Sequence, residues 1–144
     1  MFSKPVEILL AEDSLADVVL MKKILKQTTT PKNLYVVNNG IEAMNFLHQE
    51  GEYEQKPRPD LILLDLNLPQ KNGLEVLKEI KSDLKFKAIP VIILSTSENN
   101  KDIVECYNYY ANSYLTKPID LKEFYQCMEA IDNFWFKFVR YPLN

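Results

Sequence analysis

A chain of 144 residues has the size of one globular domain: enough for a sheet covered by helices on both faces, too little for an added output domain of ordinary size. Its 47% hydrophobic and 26% charged residues, with only three glycines, describe a packed core and exclude a disordered or collagen-like chain. A net charge of -3 with basic residues scattered along the sequence argues against a nucleic-acid partner, and no apolar run approaches the ~20 residues of a bilayer span, so a cytoplasmic protein is expected.

The first apolar run, Val6-Glu7-Ile8-Leu9-Leu10-Ala11, is nearly continuous, the pattern of a strand covered on both faces of a parallel sheet. Leu20, Met21, Ile24 and Leu25 follow at helical spacing and present one apolar stripe. Residues 34–37 read as a second strand nearer an edge, and Ala43, Met44 and Leu47 as a second helix whose polar face carries the only histidine, His48. The polar, proline-bearing stretch 51–59 predicts a surface loop. Residues 61–64 give the third strand, Val76, Leu77 and Ile80 the third helix, and residues 91–94 the fourth strand. Ile103, Val104 and Tyr107 mark a fourth helix, residues 113–116 a fifth strand, and Leu121, Phe124, Tyr125, Met128, Ile131, Trp135 and Phe138 a long fifth helix.

Five alternations of strand and helix argue for an α/β three-layer fold with a parallel sheet, since parallel neighbours need a connection long enough to return over the sheet. The flavodoxin-like strand order 2-1-3-4-5 is the expected one. Cys106 and Cys127 sit inside helical patterns with no Cys-x-x-Cys or Cys/His grouping, which predicts buried or half-buried thiols and neither a disulfide nor a zinc site.

In open α/β sheets the chemistry lies beyond the carboxyl ends of the strands. Here the first strand ends in Glu12-Asp13, the third in Asp65, the fourth in Ser95-Thr96 and the fifth in Lys117-Pro118. Any one of these residues alone reads as a helix cap or a turn residue. Spaced one β-α unit apart, they land on the same sheet edge. Three carboxylates crowded together repel, and the cluster is tolerable only with a counter-cation or with raised pKa values, which implies a divalent metal. All-oxygen ligation with few protein ligands suits Mg²⁺, with Asp13 and Asp65 direct ligands, Glu12 acting through water, and the Asn67 backbone carbonyl as a further ligand.

Glu12-Asp13, Leu63-Leu64-Asp65-Leu66-Asn67-Leu68-Pro69, Asn72-Gly73, Leu94-Ser95-Thr96 and Tyr114-Leu115-Thr116-Lys117-Pro118 together resemble the receiver domains of response regulators in two-component signalling. The resemblance covers about residues 6 to 135, leaving 136–144 as an extension. Within the family, Gly51-Glu52-Tyr53-Glu54, Pro57-Arg58-Pro59-Asp60 and Phe134-Trp135 are similar to single-domain regulators that partner bacterial phytochrome kinases.

The resemblance implies that Asp65 takes a phosphoryl group from a phosphohistidine of a sensor histidine kinase, that Lys117 pairs with a phosphoryl oxygen, and that Ser95 donates its hydroxyl to the phosphoryl group, with Thr96 beside it in the catalytic set. Phosphorylation would draw Ser95 and Lys117 inward and let Tyr114, the family's switch aromatic, rotate toward the fourth helix. It also implies a cis peptide at Lys117-Pro118. Two departures stand out: Glu12 where Asp is commoner, and Tyr110-Ala111 where the family favours Gly-Ala. The aromatics of Phe134-Trp135-Phe136-Lys137-Phe138 surround more than one helical face, from which homodimerisation through the last helix is expected.

Two enzyme readings compete with a signalling phosphoacceptor. Flavin or nucleotide binding lacks its Gly-rich phosphate loop. An aspartyl-phosphate phosphatase usually carries Asp-x-Asp at its nucleophile, and Asn67 occupies the second place. A degenerate receiver would lack the key residues, all of which are present.

Overall fold

The computed structural model describes residues 4–143. Five strands, β1 (Val6–Ala11), β2 (Lys32–Val37), β3 (Leu61–Leu64), β4 (Val91–Ser95) and β5 (Ser113–Thr116), alternate with α1 (Leu15–Lys26), α2 (Gly40–Leu47), α3 (Gly73–Ser82), α4 (Asn100–Asn108) and α5 (Leu121–Ile131). The sheet order is β2-β1-β3-β4-β5, with every neighbouring pair parallel. The flavodoxin-like topology expected from the alternation is the one observed.

Period-two side-chain alternation divides the core into two layers. Ile8, Leu10, Leu61, Leu63, Ile92 and Leu94 face α1 and α5. Leu9, Ala11, Ile62, Leu64, Val91 and Ile93 face α2 and α3 on the opposite side. Because β3 and β4 are apolar on both faces, every residue of both strands is buried, whereas β2 and β5 lie at the edges and are half-exposed.

Helix α4 is the weakly anchored element. The expected apolar stripe of Ile103, Val104 and Tyr107 is not covered: Cys106 is the helix's buried residue, while Val104 and Tyr107 stay exposed. Its C-terminus closes with the Ala111 N–H donating to the Cys106 carbonyl and the Tyr110 N–H to that of Tyr107, which puts Tyr110 at a left-handed φ of 67°. Such a closure favours glycine, which has no Cβ to clash.

The predicted fifth helix is one helical run in two geometries, α5 followed by a π-helix over Asp132–Phe138. At the junction the buried Asp132 accepts from the Thr28 hydroxyl at 3.0 Å and the Thr30 hydroxyl at 3.2 Å, with the Lys32 ammonium 3.5 Å away. This pins the start of the π-helix to the loop between α1 and β2. Phe136 and half of Trp135 are absorbed by the core, while Phe134 and Phe138 remain outside. The stretch 51–59 is a loop that begins with one 3₁₀ turn, Gly51–Tyr53, whose Tyr53 packs on Phe46. His48 caps the end of α2, with its ring edge-on to Phe86. Both cysteines are free thiols, Cys106 buried and Cys127 half-buried.

Candidate functional site

Backbone ladders continue one residue past each strand and place the functional side chains on a common rim. The Glu12 N–H donates to the Val37 carbonyl, the Asp65 N–H to that of Ala11, and the Lys117 N–H to that of Ser95. The next residues belong to α1, capped by Ser14, and to the loop leading into α3, capped by a reciprocal Asn72 and Glu75 pair. Gly73 lets α3 begin directly against the Asp65 backbone, since a Cβ there would lie 2.1 Å from the Asp65 carbonyl oxygen.

Glu12, Asp13 and Asp65 converge, each offering one carboxylate oxygen within 4.8 Å of the others. Glu12 and Asp65 are buried, Asp13 exposed. Lys117 is buried too and bonds Glu12, with Asp17 Oδ2 at 3.0 Å and Asp65 Oδ2 at 3.4 Å. The other Asp65 oxygen, Oδ1, accepts from the Asn67 N–H at 3.2 Å. Both oxygens of this aspartate are therefore aimed by the fold.

Burial pushes the Glu12 carboxyl up to about 7, with the Asp65 charge adding to the rise and Lys117 holding it back. Burial alone would lower Lys117, but its hydrogen bonds to Glu12 and Asp17 and the Asp65 charge outweigh that, so its ammonium is held charged. One cation thus faces a concentration of carboxylates. Hard oxygen donors at this spacing fit a small divalent cation, which would supply the missing positive charge.

Ser95 is fully buried at the end of β4, and its hydroxyl accepts from the Ser97 N–H at 3.3 Å. Thr96, by contrast, is exposed and lines an open groove with Thr116, Lys117 and Pro118. Asn67 is exposed beside Asp65. Tyr114 is half-buried with its hydroxyl donating to the Ser97 carbonyl at 2.9 Å, so it already bridges to the loop between β4 and α4. One expectation fails: no cis peptide occurs among the described residues, and Lys117-Pro118 is trans. The trans isomer is the lower-energy one for X-Pro bonds in general.

Three further residues belong to this constellation, none of them assigned to the site from the sequence. Asp17 is a third carboxylate on Lys117. Ser97 joins Tyr114 through its carbonyl and Asp102 through its hydroxyl at 2.6 Å. The Tyr107 hydroxyl accepts the edge N–H of Tyr114 at 3.1 Å. Asp17 had a visible signal, the Ser-x-x-Asp spacing from Ser14, but that spacing reads as a helix cap.

Residues 8–129 match the family model described as the response regulator receiver domain. The chain belongs to that family. The receiver is 48% identical over 138 residues to response regulator Rcp1 of Synechocystis sp., covering 96% of this chain and 94% of the relative. The crystal structure of the Mn²⁺-bound form of Rcp1 superposes with a TM-score of 0.93 at 47% identity, covering 96% of this chain and 100% of that one. The phosphorylated cyanobacterial phytochrome response regulator RcpA is equally similar, with a TM-score of 0.93 at 46% identity over 97% of this chain and 100% of its own. The acidic cluster at the carboxyl edge of this receiver could hold a divalent cation, and the Rcp1 crystal structure is of its Mn²⁺-bound form. Among the described residues no helix is long and apolar enough to cross a membrane.

Proposed function

We propose that Asp65 is the phosphoacceptor of this response regulator, taking the phosphoryl group of a phosphohistidine on a sensor histidine kinase in the cytoplasm. The observation that carries the reading is the setting of Asp65: a buried carboxylate at the rim, one oxygen fixed by the Asn67 N–H, the other facing the Lys117 ammonium at 3.4 Å, with Glu12 and Asp13 beside it. A carboxylate oxygen attacks phosphorus, the phosphorus–nitrogen bond breaks, and the imidazole departs with the electron pair. Asp13, Asp65, the Asn67 carbonyl and, through water, Glu12 would hold Mg²⁺, which would supply charge that offsets repulsion between carboxylate and phosphate.

Lys117 pairs with one phosphoryl oxygen, and the hydroxyl of Ser95 or Thr96 donates to another. Two residues past the acceptor stands Asn67, which has no proton to give or take as an acid or base, so the adduct persists as a signal where an aspartyl-phosphate phosphatase would turn it over. Ser95 is linked to Tyr114 through the Ser97 backbone, and Tyr114 to the lightly packed α4 through Tyr107. Drawing the Ser95 hydroxyl toward phosphate therefore repositions the α4, β5 and α5 face.

The likeness to RcpA supports a phytochrome-type kinase as the donor. Phe134, 54% exposed, and Phe138, 63% exposed, support a homodimer through the last helix and its extension. Intact-mass measurement after incubation with acetyl phosphate and Mg²⁺ tests the core of the proposal. One phosphoryl adduct is expected on the wild type and none on Asp65→Asn; equal labelling of both rejects it.

A further inference from the structure

Lysine carries three N–H donors and no acceptor, so a buried ammonium is satisfied when three acceptors surround it. Lys117, with a side chain 5% exposed, finds Glu12, Asp65 at 3.4 Å and Asp17 at 3.0 Å. Asp17 differs from the other two. It rises from the first turn of α1, stays 30% exposed, and stands outside the trio whose oxygens lie within 4.8 Å of one another.

Its place in the sequence would commit it elsewhere. The Ser14 hydroxyl accepts from the Asp17 N–H at 3.3 Å, and the acidic residue at that spacing returns the bond to the cap's own N–H in a reciprocal cap. Helix α3 does so, Glu75 accepting from the Asn72 N–H at 3.3 Å. In α1 the Ser14 N–H goes to Glu12 Oε2 at 3.1 Å, which releases the Asp17 carboxylate for Lys117.

We propose that Asp17 is a positioning residue: it holds the Lys117 ammonium on the α1 side of the acidic cluster, beside Asp65, and leaves the space between Glu12, Asp13 and Asp65 to a divalent cation. Without the Asp17 carboxylate the third N–H of Lys117 loses its charged acceptor, and the remaining charged partners, Glu12 and Asp65, both belong to the cluster. The lysine then leans inward and its charge opposes the incoming cation. This inference rests on the cluster as a cation site and concerns binding alone, so phosphoryl transfer does not enter its test.

The test is a double-mutant cycle on Mn²⁺ affinity, read from the electron paramagnetic resonance signal of free Mn²⁺, for wild type, Asp17→Asn, Lys117→Met and the pair. Asp17→Asn is expected to weaken binding about fivefold when Lys117 is present, the scale of a partly exposed ion pair. In the Lys117→Met background the same change should leave affinity unaltered, and Asp17→Glu should restore part of the loss. An equal loss in both backgrounds would make Asp17 one more distant negative charge and overturns the proposal, as do no loss in either and a wild type that binds no Mn²⁺. Circular dichroism checks the fold, and Asp17→Ser is read in the same way should the Asn variant not fold. Failed labelling of Asp65 alongside the expected cycle would reject the phosphoacceptor and leave this role of Asp17 standing.

Discussion

Replacing Gly73 by alanine puts a methyl group where α3 meets the phosphoacceptor loop. The new Cβ would lie 2.1 Å from the Asp65 carbonyl oxygen, 2.7 Å from the Leu66 Cα and 2.9 Å from the Asp65 carbonyl carbon, all of them backbone atoms that no rotamer change can clear. Ordinary contact begins at 3.4 Å, so helix and loop must separate by roughly 1 Å. That movement also strains the bond from the Gly73 N–H to the Leu66 carbonyl, 2.9 Å long. Overpacking of this kind costs about 1–3 kcal/mol, offset by up to ~1 kcal/mol from the better helix propensity of alanine, which leaves a net loss of about 1–2 kcal/mol. The site suffers more than the fold. Misplacing a reacting group by about 1 Å can slow its chemistry by up to ~100-fold, and labelling by acetyl phosphate should fall at least about tenfold. Urea unfolding reads the first effect and time-resolved intact mass the second. Gly51→Ala is the control, because Gly51 has a φ of +61° and a methyl group added there would meet nothing within 4 Å; it should lose about 1 kcal/mol of stability to the left-handed backbone and label at the wild-type rate. A Gly73→Ala protein with wild-type stability and labelling would refute the idea that the close approach of α3 sets the position of Asp65.

Tyr110→Gly should raise stability by about 1 kcal/mol, or roughly 2–4 °C in Tm, because Tyr110 holds a φ of 67° while 73% exposed, and Tyr110→Ala should not, since alanine keeps the strain; equal Tm values for the two variants would contradict this. Glu12 carries a pH signature: with its folded pKa raised from 4.5 to about 7, its contribution to stability is fully present below 4.5 and is lost as pH rises through 7. Mg²⁺, by neutralising the cluster, should therefore raise Tm more at about pH 8 than at about pH 5.5, and Glu12→Gln should flatten the difference; a Mg²⁺ shift independent of pH in the wild type counts against a raised Glu12.

The order of elements was legible because a parallel sheet leaves two independent marks in a sequence. Its strands, covered on both faces, appear as short continuous apolar runs, and its crossovers appear as amphipathic stripes between them. Runs 6–11, 61–64 and 91–94 carried the first mark cleanly, and β1, β3 and β4 lie where those runs stand. Helix α4 broke the second: Ile103, Val104 and Tyr107 have the spacing of a buried stripe, but α4 packs at the edge strand β5 and Cys106 is the residue it buries. Periodicity reports which face of a helix is apolar, and only the neighbouring elements decide whether that face is covered.

Within the site, composition was legible and wiring was not. Acidic, hydroxylic and cationic residues at strand ends point to one rim because the fold puts all carboxyl ends there. Which oxygen meets which donor depends on side-chain length, as Glu12 illustrates. An aspartate at position 12 would be shorter by one methylene, whereas Glu12 spans two elements, Oε2 accepting the Ser14 N–H at the head of α1 while Oε1 bonds Lys117 beyond β5. By taking the Ser14 N–H, it displaces Asp17 from the bond that its Ser-x-x-Asp spacing predicts and turns that carboxylate toward the lysine. The departure at position 12, Glu where Asp is commoner, is thus coupled to a residue whose spacing reads as a helix cap. Shortening Glu12 to aspartate should return Asp17 to its capping bond and loosen its hold on Lys117, a coupling that neither position reveals when read alone.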